Sequence, residues 1–305
     1  MPARFCILAS GSSGNCAFLQ ANGFGLLIDI GLGPRFIASR LATIGASWRD
    51  VHAAVLTHTH SDHWKDATLA HLKQMRVPLY CSPLHHEDLK KYGGHFSALL
   101  EEGLVRSFDA SKVFDLPAGI NCTPILVPHD AEPTFAFRLN GPPGLFGPQW
   151  SLGYASDLGE ARVNLLEAFQ DVNLLALEFN HCVHLERMSH RPKFLIDRVL
   201  GPLGHLSNDQ ASQAVRSILQ SSAPGALRHL VQLHLSRDCN RPTLAAQHGK
   251  DVLAELGSSA KVTTAQQYAA SHVMALEGDY ARSRPVVPAA CQAIPVVSTS
   301  PEMPA

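Results

Sequence analysis

The sequence predicts a layered α/β domain, and three observations carry that expectation. Strand-like apolar runs and amphipathic helical segments alternate along both halves of the chain. Of the 305 residues, 46% are hydrophobic and 17% charged, enough apolar material for a sizeable core and too little charge for global disorder. No composition break wide enough for a linker interrupts residues 1–283, which read as one domain.

The elements follow in order. Short strands are expected at 4–8, 17–20 and 25–28, then a helix from 34 to about 44, with Pro34 in its first turn and Gly45 as its stop. A buried strand spans 51–57. Helical segments at 68–74 and 85–92 lead to strands near 120–127 and 134–139. The stretch Gly141-Pro-Pro-Gly-Leu-Phe-Gly-Pro148 reads as a loop between strands. Alternation resumes with a strand at 151–155, a helix over about 161–169 and a strand at 172–177. The plainest helix covers 207–219: Ala211, Ala214, Val215, Ile218 and Leu219 fall at helical spacing, and Ser207 with Gln210 forms a capping box. A strand at 230–235 and a helix at 243–256 close the series. Pro285, Pro288, Pro295, Pro301 and Pro304 deny regular structure to 284–305, which reads as a disordered tail.

Composition excludes several classes of function. The net charge of −1 rules out gripping nucleic acid by bulk charge, so any polyanion must be held by a local patch or by metal ions. Apolar runs such as 125–128 and 172–177 fall far short of the ~20 residues of a membrane span. The N-terminal apolar run is too short for a signal peptide, and a cytoplasmic location is expected. Seven scattered cysteines with no CxxC pair argue against a disulfide framework and a thiolate zinc site. Histidine is the outlier, with 17 copies, and imidazole is the commonest transition-metal ligand.

The chemistry concentrates at Thr57-His58-Thr59-His60-Ser61-Asp62-His63, directly after a buried strand. Alternation puts His58 and His60 on one side of an extended chain, and a turn then presents Asp62 and His63 in another direction. That arrangement suits two adjacent metal ions better than one. Three further candidates stand at predicted strand ends: His129, Asp157 and His234.

An HxHxDH run after an apolar strand, followed by a distant His, Asp and His, resembles the metallo-β-lactamase superfamily over about residues 4–265. The resemblance implies a four-layer αββα sandwich with its site at the edge of two sheets. By it, His58, His60 and His129 hold one divalent ion, Asp62, His63 and His234 hold the other, and Asp157 bridges them. Asp29 would accept a hydrogen bond from a ligand histidine and so orient it. Two divalent ions ~3.5–4 Å apart polarise a phosphoryl or carbonyl oxygen and acidify a bound water toward hydroxide. Nitrogen and oxygen donors put zinc first and manganese second.

Five segments narrow the resemblance to the WalJ-type (YycJ-type) branch: Leu8-Ala-Ser-Gly-Ser-Ser-Gly-Asn-Cys16, Val127-Pro-His-Asp130, Glu178-Phe-Asn-His-Cys182, Gly204-His-Leu-Ser-Asn208 and Leu233-His-Leu-Ser236. Characterised members of that branch are 5′→3′ DNA exonucleases. A metal-dependent phosphodiesterase acting on DNA ends is therefore expected, with hydroxide attacking phosphorus and Asp62, His181 and His205 as catalytic candidates. The Ser207–Asn208 helix start either binds an anion or merely caps its helix. The Ser10–Asn15 loop either lines a phosphate or forms a simple hairpin. Rival readings are a thioester or lactone hydrolase on the same fold, an RNA or small-molecule phosphodiesterase, and a non-enzymatic metal-stabilised module.

Overall fold

The computed structural model describes residues 3–110, 112–144 and 147–276; the proline-rich segment 284–305 lies outside the described residues. The strands are β1 (Arg4–Ala9), β2 (Cys16–Ala21), β3 (Phe24–Ile28), β4 (Ala53–Val55), β5 (Leu79–Cys81), β6 (Val105–Ser107), β7 (Phe114–Leu116), β8 (Ile120–Val127), β9 (Thr134–Asn140), β10 (Pro143–Gly144), β11 (Gly147–Pro148), β12 (Ser151–Ala155), β13 (Leu174–Glu178), β14 (His229–Leu233), β15 (Lys261–Thr264) and β16 (Met274–Ala275). The helices are α1 (Pro34–Thr43), α2 (Asp66–Met75), α3 (His86–Tyr92), α4 (Phe96–Glu101), α5 (Val163–Ala168), α6 (Val183–Arg187), α7 (Lys193–Leu200), α8 (Asn208–Gln220) and α9 (Pro242–Glu255).

Period-two alternation along the strands builds the layers. One sheet runs β16-β1-β2-β3-β4-β5-β6 and the other β15-β14-β13-β12-β9-β8-β7. Phe5, Ile7, Leu26 and Ile28 of the first meet Phe135, Phe137, Leu152, Tyr154 and Val231 of the second in one buried cluster between the sheets. The alternate residues Cys6, Leu8 and Leu27 pack outward with Ile37 and Leu41 of α1 and Leu69 and Leu72 of α2. On the far side Leu175, Leu177 and Leu230 pack with Leu165 of α5, Val215 and Ile218 of α8 and Val252 of α9. Three apolar interfaces between four layers make the expected αββα sandwich. Strands buried on both faces also explain why their sequences read as nearly continuous apolar runs.

Topology sets the site at one edge. β3 and β4 are parallel, so their carboxyl ends lie together. β12, β13 and β14 are parallel to one another, and β8 points the same way because β9 is antiparallel to both β8 and β12. The chain leaves β3, β4, β8, β12 and β14 just before Asp29, His58, His129, Asp157 and His234 respectively.

Element boundaries depart from expectation where side chains intervene. The strand expected over 51–57 is ladder-paired over Ala53–Val55, and the Thr57 N–H turns away to donate to Asp29 Oδ1 at 2.9 Å. The strand expected to reach 235 ends at Leu233, because His234 adopts a left-handed φ of 52°. The glycine- and proline-rich stretch carries the two-residue strands β10 and β11. Helices α4 and α6 and strands β5, β6, β7, β15 and β16 are short or edge elements with little periodic signal, and the eight-residue α7 also lies outside the expected series.

Candidate metal centre

Local turns build the site from the β4 exit. Beyond β4, a tight turn closed by the His63 N–H on the His60 carbonyl at 2.9 Å separates Asp62 and His63 from His58 and His60. Gly31 permits this turn: a Cβ there would lie 1.7 Å from the Asp62 carbonyl oxygen. Asn15, at the β2 entrance, donates its backbone N–H to the same carbonyl at 2.7 Å and its side-chain amide to Asp62 Oδ2 at 3.2 Å. The 10–15 loop thus buttresses the turn, with Asn15 Oδ1 accepting from the Gly11 N–H and from Ser10 Oγ. Ser10 Oγ in turn accepts from the His234 N–H at 2.8 Å.

Donor atoms gather in overlapping groups, each within 4.8 Å: His58, His60 and His129; His58, His63 and Asp157; Asp62, His63 and His234; and Asp157, Glu178, His205 and His234. In the first group the three rings stand nearly perpendicular, at interplanar angles of 77° to 78°. His129 donates its Nδ1–H to the Gly204 carbonyl at 3.0 Å, which leaves Nε2 as a lone pair 3.3 Å from His60 Nδ1. His58 Nδ1 lies 3.0 Å from Thr57 Oγ1, and His58 Nε2 is buried with no hydrogen-bond partner. Buried imidazole lone pairs converging on one point fit a cation.

Carboxylates dominate the second half. Asp157 Oδ2 is 3.0 Å from His63 Nε2, and its Oδ1 is 2.9 Å from His234 Nδ1. Asp62 Oδ2 lies 3.7 Å from His63 Nε2 and 3.4 Å from His234 Nε2. His63 donates its Nδ1–H to Asp29 Oδ2 at 2.8 Å, the outer hydrogen bond expected of Asp29. Asp29 and His234 both hold positive φ, 60° and 52°, backbone strain of the kind that gathers at functional sites.

Protonation divides the two halves. Burial, reinforced by neighbouring histidines, pushes His58, His60 and His129 down, which keeps them neutral and competent as ligands. Burial opposes charge at His63 as well, but Asp29, Asp157 and Asp62 push it up to about 10. Burial is likewise overcome at His234 by Asp157, Asp62 and Glu178, which hold it well above the ordinary value. The same pairs hold Asp157 and Asp62 below the carboxylate range against their own desolvation. This half concentrates carboxylates whose negative charge favours a cation among the two histidines, the position of a metal ion.

Of the catalytic candidates, Asp62 and His205 reach the cluster. His205 Nδ1 sits 2.7 Å from Glu178 Oε1 and 3.5 Å from Asp157 Oδ1. Burial would lower its pKa, but Glu178 raises it. His181 is fully buried, both ring nitrogens lack partners, and it belongs to none of the four groups. Ser207 and Asn208 serve the fold: Ser207 Oγ caps Gln210, the Asn208 N–H donates to the His181 carbonyl, and the Asn208 amide donates to Asn240. The residue without an expected role is Glu178, which accepts from the backbone N–H groups of Leu158 and Leu206 and contacts His205 and His234. Its sequence signal is a carboxylate closing a buried apolar strand, a position tolerable only when paired.

A family profile described as "Beta-lactamase superfamily domain" matches residues 26–223. The chain belongs to the beta-lactamase superfamily. Its sequence is 27% identical over 259 residues to the exodeoxyribonuclease YycJ of Bacillus anthracis, covering 84% of this chain and 91% of that one. It is 28% identical over 248 residues to the exodeoxyribonuclease WalJ of Streptococcus pneumoniae serotype 2, covering 79% and 85%. The metallo-β-lactamase fold protein YhfI from Bacillus subtilis superposes with a TM-score of 0.63 at 16% identity, over 90% of this chain and 99% of that one. Family and donor set together make this superfamily member a metal-dependent hydrolase. Among the described residues no helix is long and apolar enough to cross a membrane.

Proposed function

We propose that the chain is a dinuclear-metal phosphodiesterase that degrades DNA from its ends in the 5′→3′ direction. The observation that carries this reading is the approach of His58, His60, Asp62, His63, His129, Asp157 and His234 in two donor groups linked through Asp157. Likeness to two exodeoxyribonucleases over most of the chain supports the choice of DNA. Zinc suits the mixed nitrogen and oxygen donors, with manganese the alternative.

Two divalent ions, when bound, supply Lewis-acid polarisation of a phosphoryl oxygen and an acidified water. The protein's own groups do the rest. His58 and His129 offer Nε2 from rings whose orientation is set by Thr57 and Gly204, and His60 offers Nδ1 beside His129 Nε2. Asp157 turns Oδ2 to His63 and Oδ1 to His234, and shares a donor group with His58 of the other half. Glu178 holds the Nδ1 proton of His205, and the raised pKa of that ring keeps Nε2–H ready to protonate a leaving oxygen. Asn180 fixes the left-handed turn at His234 by donating to its carbonyl at 2.7 Å.

End-labelled single- and double-stranded DNA and RNA, incubated with Zn²⁺ or Mn²⁺, test the proposal. Progressive shortening of DNA from the 5′ end is expected. His60→Ala and Asp157→Ala should each lower the rate at least ~1,000-fold with the circular dichroism of the fold retained. Undiminished hydrolysis by metal-depleted protein, or turnover of a thioester with no phosphodiester cleaved, would overturn it.

A further inference from the structure

A protein with a net charge of −1 has no general attraction for a polyanion, so a nucleic-acid strand needs a localised foothold. One cationic region adjoins the metal centre. Along 186–198 and 237–241, Arg187, Arg191, Lys193, Arg198, Arg237 and Arg241 outnumber Glu186, Asp197 and Asp238. There a groove of about 340 Å³ is lined by His205 and His234 of the donor cluster, by Arg191 and Arg198, and by Ser12 and Leu195.

The two guanidinium groups are held differently from ordinary surface arginines. Arg191 Nη1 is anchored on fully buried Glu186 at 3.2 Å, while Nη2 reaches Asp238 at 2.9 Å and Ser236 Oγ at 3.4 Å. The Asp238 side chain is 75% exposed, so this outer pair contributes little and exchanges readily. Arg198 Nε donates to Asp130 Oδ2, and the other oxygen of Asp130 lies 3.4 Å from His129 Nε2 and 3.5 Å from His60 Nε2. Arg198 is therefore one carboxylate away from the imidazole donors, and Arg191 keeps one anchored and one exchangeable face.

We propose that this groove is a phosphate-recognition site in which Arg191 and Arg198 hold a backbone phosphate neighbouring the one being cleaved, exchanging Asp238 and Asp130 for phosphate oxygens. The planar guanidinium fork matches a phosphate in two-point geometry. The inference rests on the phosphodiesterase reading. It adds that substrate affinity comes from a two-arginine clamp and not from the charge of the whole molecule.

The test compares metal-loaded wild type with Arg198→Ala, Arg198→Lys and Arg191→Lys, the last chosen because removing all charge beside buried Glu186 threatens folding. Substrates are a single-stranded deoxyoligonucleotide and bis(p-nitrophenyl) phosphate, which has one phosphate only. Arg198→Ala should raise KM for the oligonucleotide about tenfold and flatten the slope of log KM against log salt by about 0.7. Its loss on bis(p-nitrophenyl) phosphate should be several-fold smaller, Arg198→Lys should recover part of the salt slope, and Arg191→Lys should raise the oligonucleotide KM. Equal losses on both substrates, or an unchanged KM and salt slope, overturn the clamp while leaving the phosphodiesterase reading intact. A wild-type protein that cleaves neither substrate overturns both.

Discussion

Thr57 opens the histidine run, and its hydroxyl lies within 3.0 Å of both Asp29 oxygens and of His58 Nδ1. By donating to Asp29 and accepting from His58, it ties the carboxylate that orients His63 to the ring that presents Nε2 to the other half. Asp29→Asn keeps the shape but weakens the acceptor, so divalent-metal affinity should fall about 10–100-fold in competition with a chelator. An unchanged affinity would show that His63 needs no such partner. His85 lies away from these donors, 1% exposed, with its Nε2–H donating to the Pro133 carbonyl at 2.9 Å. Burial pushes its pKa down to about 4. The unfolded chain then binds the proton more readily between pH ~6.5 and ~4, so this stability is present above that window and lost as pH falls through it. The loss is on the order of 3 kcal/mol for complete protonation. His85→Gln should flatten the fall in chemical-denaturation stability between pH 7 and pH 5, and a slope equal to wild type would refute the assignment.

Helix α8 shows what local chemistry achieves at the scale of an element. Ser207 Oγ accepts from the Gln210 N–H and Gln210 Oε1 accepts from the Ser207 N–H, the reciprocal pair that the sequence predicts. Ser207→Ala should cost about 1 kcal/mol, read as a lower urea midpoint with an unchanged slope. A slope that changes as well would mean that the cap also organises the denatured or native ensemble. Helices α1, α8 and α9 and the strands β1–β4, β8, β9 and β12–β14 were legible because their apolar periodicity and stop signals are local. Helix α7, which carries Arg198, was not: its eight residues follow Pro192 without a side-chain cap, and only Val199 is buried. Its Phe194, Leu195, Ile196, Val199 and Leu200 do form an apolar pattern, but the run is too short and too weakly capped to declare a helix by itself.

Across the whole molecule the donor atoms join the two sheets, since His58, His60, Asp62 and His63 follow β4 of one sheet while His129, Asp157 and His234 follow β8, β12 and β14 of the other. Divalent metal bound there would act as a staple between layers. At a free-metal concentration about 1,000 times Kd, binding adds about 4 kcal/mol to stability. Chelation should therefore lower Tm by roughly 10 °C while the far-ultraviolet circular dichroism at 25 °C stays native. Loss of secondary structure on chelation would instead make the metal a folding requirement.

The dense run at 57–63, the strand-end positions of His129, Asp157 and His234, and the αββα layering were readable from sequence pattern and family resemblance, because spacing and periodicity act within a few residues. Tertiary structure decided the rest. It left His181 walled off and brought His205 beside Glu178, a contact between residues 27 positions apart. It also turned an undistinguished carboxylate into the partner of two histidines and put Arg191 and Arg198 along the same groove. A hydrogen bond depends on ångström distances between groups that the chain separates by tens of residues, and those distances exist only once both sheets have packed.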